Sequence, residues 1–202
     1  MARPPAGPAM LGMEPAWANG MKLRVEVIQG SILDADARVI VNAANGMGLM
    51  GGGVAGVIKR AAGAEVEREA VKLAPIRVGK AVLTTGGKTK FEGIIHAPTM
   101  PEPGMRIEAR NVALATQAAL TLADEQCFES IAVPGMGTGV GGVAHADAAR
   151  AMVDAVRAFT PRALKSVVLV DVDPAMVEAW RGAIGGQPSA VSKKNSDPTA
   201  QS

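Results

Sequence analysis

The sequence predicts an α/β fold in which a mostly parallel sheet is covered by helices on both faces. Two observations support this prediction. Segments with strand and helix periodicity alternate along the chain, and two glycine-rich loops each follow a short apolar strand. In sheets of this kind, ligands bind at the carboxyl ends of the strands. The two glycine-rich loops are therefore the first candidates for a binding site.

Six segments have the composition of strands. The first alternates polar and apolar residues, as a half-buried strand does. The last has no polar interruption, which is typical of a strand buried on both faces. In chain order, the predicted strands are 22–29, 38–41, 80–85, 93–97, 129–134 and 166–171.

Four further segments carry apolar or small residues at helical spacing. Asp173 followed by Pro174 is typical of a helix N-cap and first helical position, which predicts where the last helix begins. A glycine, Gly63, is expected to break the first helical segment. The predicted helices are 55–72, 107–126, 145–159 and 174–184.

The length of 202 residues suits one domain with two tails. Residues 1–20 are rich in Pro, Ala and Gly and are expected to form a flexible leader. Residues 185–202 are polar and lack an apolar period, so they are expected to be a disordered tail. The folded domain is predicted over 21–184.

Composition excludes several classes of function. No apolar run approaches the roughly 20 residues that span a bilayer. A net charge of +2 and an aromatic content of 2% argue against a nucleic-acid surface.

The single cysteine, Cys127, fits a reducing cytoplasm. With two histidines, His96 and His145, at no ligand spacing, no metal or cofactor is expected. We expect a cytoplasmic monomer that contacts no membrane.

The first candidate loop lies within 41–56, with sequence VNAANGMGLMGGGVAG. An apolar strand leads into two asparagines, a triplet of glycines at 51–53 and then a helix. Glycine lets the backbone approach a ligand closely, and a helix N-terminus favours an anion. The pattern predicts a phosphate-binding loop, whereas the plain alternative is a long connection that merely needs glycine.

The second candidate loop lies within 131–142, where Gly137, Gly139 and Gly142 fit the dinucleotide pattern G-x-G-x-x-G. That pattern is weak alone, and here it occurs late in the chain. The next acidic strand end, Asp171, follows about thirty residues later rather than the ~20 expected for the ribose-binding acid. We interpret the segment as a second anion-contacting loop.

One phosphate-binding motif is excluded. The sequence Gly87-Lys88-Thr89 resembles the end of a P-loop, but the glycine that the motif requires five residues earlier is replaced by Val82.

These segments together resemble the macro domain family. Residues 41–63, VNAANGMGLMGGGVAGVIKRAAG, are similar to the family's most specific stretch. The segment 29–32 resembles the end of its first strand, 94–98 its central strand and 131–142 its second ligand loop. The resemblance covers about 21–184. It implies a three-layer α/β/α sandwich with a mostly parallel mixed sheet and a cleft for ADP-ribose.

The resemblance also implies site residues. Asn45 would contact the distal ribose, and it is the expected catalytic residue of a hydrolytic member. The other residues expected to bind the ligand flank the adenine or surround the diphosphate. They are Ser31, Ile32, Gly52, Gly53, Val54, Gly137, Thr138, Gly139 and Val140.

The chain departs from the family pattern at three of its positions. Ser31 stands where the family has an adenine-reading aspartate, and a hydroxyl accepts a hydrogen bond more weakly than a carboxylate. Ala55 replaces the aspartate that is proposed to activate water in one hydrolase branch. Val140 replaces an aromatic residue beside the distal ribose. Lys59, where some members carry histidine, is interpreted as part of a solvated helix face.

Three functional hypotheses follow. The chain binds ADP-ribose or a derivative and hydrolyses an ADP-ribosyl ester, O-acetyl-ADP-ribose or ADP-ribose-1''-phosphate. Alternatively, it is a non-catalytic module that binds ADP-ribose or an ADP-ribosylated protein with an altered preference. A nucleotide-dependent oxidoreductase using the turn at 137–142 is the third, and the absence of room for a separate substrate domain argues against it.

Overall fold

The computed structural model describes residues 23–185. The predicted leader 1–20 lies outside them, as does the predicted tail except Gly185, which ends the last helix. The predicted domain boundaries at 21 and 184 therefore stay predictions. Among the described residues, no helix is long and apolar enough to cross a membrane.

One six-stranded sheet forms the centre of the molecule. Its strands are β1 (Arg24–Gln29), β2 (Val39–Asn45), β3 (Val82–Thr85), β4 (Gly93–Met100), β5 (Ser130–Val133) and β6 (Ser166–Asp171). The helices are α1 (Gly53–Ala62), α2 (Ala64–Lys72), α3 (Ala109–Glu125), α4 (His145–Ala158) and α5 (Pro174–Gly185), with a short 3-10 helix at Ile32–Asp34.

The strand order is β1-β6-β5-β2-β4-β3. Every neighbouring pair is parallel except β3 and β4, which are antiparallel. This confirms the mostly parallel mixed sheet. Because the carboxyl ends of parallel strands meet at one edge, the loops after β1, β2, β5 and β6 converge there.

Helices cover both faces of the sheet, which confirms the three-layer sandwich. Alternate residues of β2 point to opposite faces, as the period of a strand requires. Val39 and Val41 pack in the core on the side of α3, α4 and α5, whereas Ile40 packs with residues of α1 and α2. Both faces of β2 are therefore buried.

Two strands are longer than the sequence predicted. β2 continues past Val41 to Asn45, and β4 continues past Ala97 to Met100. The polar residues Asn42 and His96 do not end their strands, because they are buried and hydrogen-bonded to each other across the register. The asparagines expected in the first loop therefore lie in β2.

Two predicted helix boundaries are confirmed. Gly63 separates α1 from α2 with a φ of 98°, a conformation that favours glycine. Asp173 caps α5, since its Oδ1 accepts the N–H of Ala175 at 2.9 Å.

Candidate functional site

A cleft of about 730 Å³ opens at the carboxyl ends of the parallel strands. Both glycine-rich loops contribute to its wall, as do the ends of β2, β4 and β6. Eight of the ten predicted site residues line it: Ile32, Asn45, Gly52, Gly53, Val54, Gly137, Gly139 and Val140. The fold thus brings the two loops together around one space.

The glycines of the first loop serve two different purposes. A Cβ at Gly46 or Gly48 would lie 2.6 to 2.8 Å from backbone atoms, so close packing requires glycine there. At Gly51 and Gly52, a Cβ would meet nothing within 4 Å, and both residues line the cleft. Protein packing does not explain these two glycines, which favours a ligand-binding loop over a connection that merely needs glycine.

The start of α1 supplies free backbone donors. Its first bond runs from the Gly56 N–H to the Gly52 carbonyl at 3.0 Å, and no side chain caps the helix. The N–H groups of Gly53, Val54 and Ala55 therefore precede the bonding ladder of the helix. All three residues line the cleft, where the helix dipole favours an anion.

The second loop shows the same contrast. A Cβ at Gly137 would lie 2.8 Å from a Val112 methyl, and its φ of 79° also favours glycine. Gly139, in contrast, has nothing within 4 Å of a Cβ and faces the cleft. The helix after this loop begins only at His145, so the G-x-G-x-x-G glycines do not open it as a dinucleotide-binding turn would.

The side chain of Asn45 is engaged by its own loop. Its Oδ1 accepts the N–H groups of Met47 at 3.1 Å and Leu49 at 3.3 Å. Its Nδ2 donates to the Leu49 carbonyl at 2.8 Å. One Nδ2 hydrogen remains for a ligand. Asn45 therefore anchors the loop at the base of the cleft as well as lining it.

Two predicted site residues do not line the cleft: Ser31 and Thr138. The Ser31 hydroxyl accepts the Leu33 N–H at 3.2 Å and caps the 3-10 helix that follows β1. Its neighbours Gly30 and Ile32 are the residues that face the cleft from this end.

The cleft holds almost no charge. Among the residues that the structure describes, Asp171 is the single ionisable side chain that lines it. The two Asp171 oxygens accept the N–H groups of Gly135 at 3.0 Å and Asp173 at 2.9 Å. Two backbone donors thus hold the one carboxylate of the described cleft, and Ala55 in the wall adds none.

Sequence reasoning missed several residues that line the cleft. Met100 and Asp171 stand at the ends of β4 and β6, so the rule that ligands bind at strand ends could have found them. Pro103 and Gly104 come from the segment after β4, for which the sequence carries no signal. Val172 is 69% exposed and forms part of an apolar rim with Val140.

Lys59 makes a contact that its interpretation from the sequence did not include. Its side chain is 35% exposed, and its Nζ lies 2.5 Å from Oε2 of Glu67 on α2. No group of three or more His, Cys, Asp or Glu side chains suited to a metal occurs between residues 23 and 185.

Comparisons with known proteins agree with this geometry. The Macro domain family profile matches residues 41–152. An uncharacterized protein of Aquifex aeolicus is 61% identical over 161 residues, which cover 80% of this chain and 98% of that protein. The Oceanobacillus iheyensis macrodomain with MES bound superposes with a TM-score of 0.73 at 25% identity, covering 81% of this chain and 92% of its own.

A second solved structure is that of the Trypanosoma brucei macrodomain in complex with ADP-ribose. It superposes with a TM-score of 0.72 at 25% identity and covers 80% of this chain and 69% of its own. The region matched by the family profile contains all but the first two residues of β2, the glycine triplet and the second loop.

Proposed function

The chain belongs to the macro domain family, and we propose on this premise that its cleft binds ADP-ribose or a closely related derivative. The observation that carries the proposal is the pair of open glycine positions, Gly52 and Gly139, one in each loop of the cleft wall. A cleft of about 730 Å³ also lies in the range of small-molecule sites. ADP-ribose is the ligand in the T. brucei macrodomain complex.

The diphosphate is proposed to lie between the two loops. The N–H groups of Gly52, Gly53 and Val54 would donate to it from one side, and the loop at 137–140 would close over the other. Free N–H groups at a helix N-terminus stabilise negative charge, and the absent side chains at Gly52 and Gly139 leave room for phosphate oxygens.

The two ends of the ligand would contact different strands. Adenine is proposed to lie near Ser31 and Ile32, after β1, while the distal ribose would approach Asn45 at the end of β2. The remaining Nδ2 hydrogen of Asn45 suits a ribose hydroxyl. This assignment follows the family resemblance and agrees with the cleft lining of Ile32 and Asn45.

We favour a non-catalytic binding module over a hydrolase. The Asp171 carboxylate, the one carboxylate that lines the described cleft, is held by two backbone donors, and Ala55 offers no base. Hydrolysis of an ADP-ribosyl ester or of O-acetyl-ADP-ribose would therefore have to rely on Asn45 for positioning and on the substrate's own phosphate to activate water. The oxidoreductase hypothesis loses support because Gly137 and Gly139 do not open a helix.

The proposed partners are free ADP-ribose and ADP-ribosylated protein, and the proposed setting is a monomer in the cytoplasm. The exposed free thiol of Cys127 fits a reducing compartment.

Titration calorimetry with ADP-ribose, with ADP and AMP as controls, tests the proposal. We expect saturable binding that is tighter for ADP-ribose than for either control. A parallel assay with an ADP-ribosylated protein should show binding without release of ADP-ribose. Absence of heat with all three nucleotides would contradict the proposed ligand, and turnover well above the buffer rate would favour the hydrolase.

A further inference from the structure

Met50, the residue directly before the glycine triplet, is held by a side chain from another helix. Its N–H donates to Oε1 of Glu67 on α2 at 2.8 Å. The Met50 side chain is itself 1% exposed in the core beneath the loop. The backbone and the side chain of Met50 therefore both fix the position of the chain where the triplet begins.

The same carboxylate links the two helices that follow the loop. Oε2 of Glu67 pairs with the Lys59 ammonium on α1 at 2.5 Å, and both side chains are at least half-buried. The Lys59 hydrogen bond, together with the Met50 N–H, holds the pKa of Glu67 below its usual range despite partial burial. Glu67 thus stays ionised and bridges α1, α2 and the loop.

Among the described residues, Glu67 provides the last side chain that holds the backbone before the glycine triplet begins. Upstream, the loop is anchored by Asn45 and by the Gly46 N–H, which donates to the Met100 carbonyl at 2.8 Å. Downstream, Cβ positions at Gly51, Gly52 and Gly53 meet nothing within 4 Å. Consecutive glycines have the largest backbone freedom, so ordering them at the moment of binding would lower affinity.

We infer that Glu67, held by Lys59, is a positioning residue that orders the glycine triplet for the diphosphate without touching the ligand. This inference rests on the proposed function. Its physical content is preorganisation: Glu67 fixes Met50, Met50 fixes the start of the triplet, and the N–H groups of the triplet then face the cleft before the ligand arrives.

The test compares three variants of the full chain. Glu67→Ala removes both contacts, while Glu67→Gln keeps an oxygen for the Met50 N–H. Glu69→Ala is the matched control, because Glu69 lies on the same helix and bonds Thr85 at 2.8 Å, on the side of β3. ADP-ribose affinity is measured by calorimetry, and hydrogen exchange follows the amides of residues 50–54.

We expect Glu67→Ala to weaken ADP-ribose binding about tenfold and to accelerate exchange at 50–54. Glu67→Gln should recover most of both, and Glu69→Ala should change neither. Wild-type affinity and exchange in Glu67→Ala would overturn the inference, as would an equal loss in Glu69→Ala. If the wild-type chain fails to bind ADP-ribose while Glu67→Ala still accelerates exchange at 50–54, the proposed function fails and the ordering role stands.

Discussion

Asn42 on β2 and His96 on β4 stand directly opposite each other in the parallel register, and the Asn42 Nδ2 donates to the His96 Nδ1 over 3.1 Å. The other ring nitrogen, Nε2, lies 2.9 Å from the Thr84 hydroxyl on β3. Three neighbouring strands are thus joined by one buried polar chain beneath the helices α1 and α2. This chain is why the sheet continues through polar residues toward the cleft.

His96 predicts a pH dependence of stability. Burial lowers its pKa to about 4, and the nearby Glu69 carboxylate opposes this only in part. The unfolded chain, with a pKa near 6.5, then binds the proton more readily. The contribution of neutral His96 to the free energy of unfolding is therefore complete above about pH 6.5 and is lost as the pH falls through 4. The complete loss amounts to about 3 kcal/mol.

Urea unfolding at a series of pH values measures how the free energy of unfolding depends on pH. His96→Gln should be less stable at pH 7 and should lose most of the dependence between pH 6.5 and 4. His145→Gln, at the half-exposed second histidine, is the control and should keep it. If His96→Gln kept the same pH dependence of stability, other groups would have to cause it.

Gly52→Val should block ligand binding while leaving the fold intact. The site is extended, with a φ of −159°, and a Cβ meets nothing within 4 Å, so the domain tolerates a side chain that fills the cleft. We expect affinity for ADP-ribose to fall roughly 100-fold, or about 2.7 kcal/mol. Gly52→Val is easier to interpret than Gly53→Val. Gly53 has a φ of 55°, so a side chain there would strain the backbone as well as fill the cleft.

Calorimetry and thermal unfolding together test the Gly52 prediction. Gly182→Val is the matched control, because this glycine on α5 also has open space around a Cβ but lies away from the cleft. Near wild-type affinity in Gly52→Val would refute the diphosphate site.

Asn45→Ala should weaken binding as well as any turnover. Removing the side chain leaves the Met47 and Leu49 N–H groups and the Leu49 carbonyl without their partners. We expect about a tenfold loss of ADP-ribose affinity. Asn45→Asp, which keeps an acceptor for both N–H groups, should lose less.

Calorimetry and hydrogen exchange at 46–49 test the Asn45 prediction. Loss of turnover with unchanged affinity would instead support a purely catalytic asparagine and count against the anchoring role.

Ser31→Asp should sharpen adenine selectivity. Aspartate caps a helix as well as serine does, so the bond to the Leu33 N–H should survive the change. The added carboxylate would accept a hydrogen bond from the adenine amino group. We expect the preference for ADP-ribose over its inosine analogue to rise about tenfold.

Competition binding with the two nucleotides measures the Ser31 effect, and Ser31→Ala, which loses the cap, serves as the control. An unchanged ratio in Ser31→Asp would place the adenine elsewhere in the cleft.

Local patterns were sufficient for much of the fold. A glycine in a helical pattern placed the break at Gly63, the pair Asp173 and Pro174 placed the cap, and the strand–loop–helix order located both glycine-rich loops. The same patterns ended β2 too early, because single-residue polarity cannot reveal that Asn42 has a buried partner 54 residues away at His96. The ion pair of Lys59 was not predicted for a similar reason, since its partner Glu67 lies on the next helix.

By itself, the sequence determined the layered α/β architecture, the two glycine loops and their family, because these depend on short-range periodicity and on motifs that are continuous in the chain. Only the tertiary structure decided which glycines serve packing and which face open space. It alone also showed that Asn45 and Glu67 anchor the first loop. Those properties depend on atoms brought together by folding, and a linear pattern carries no information on the distance between them.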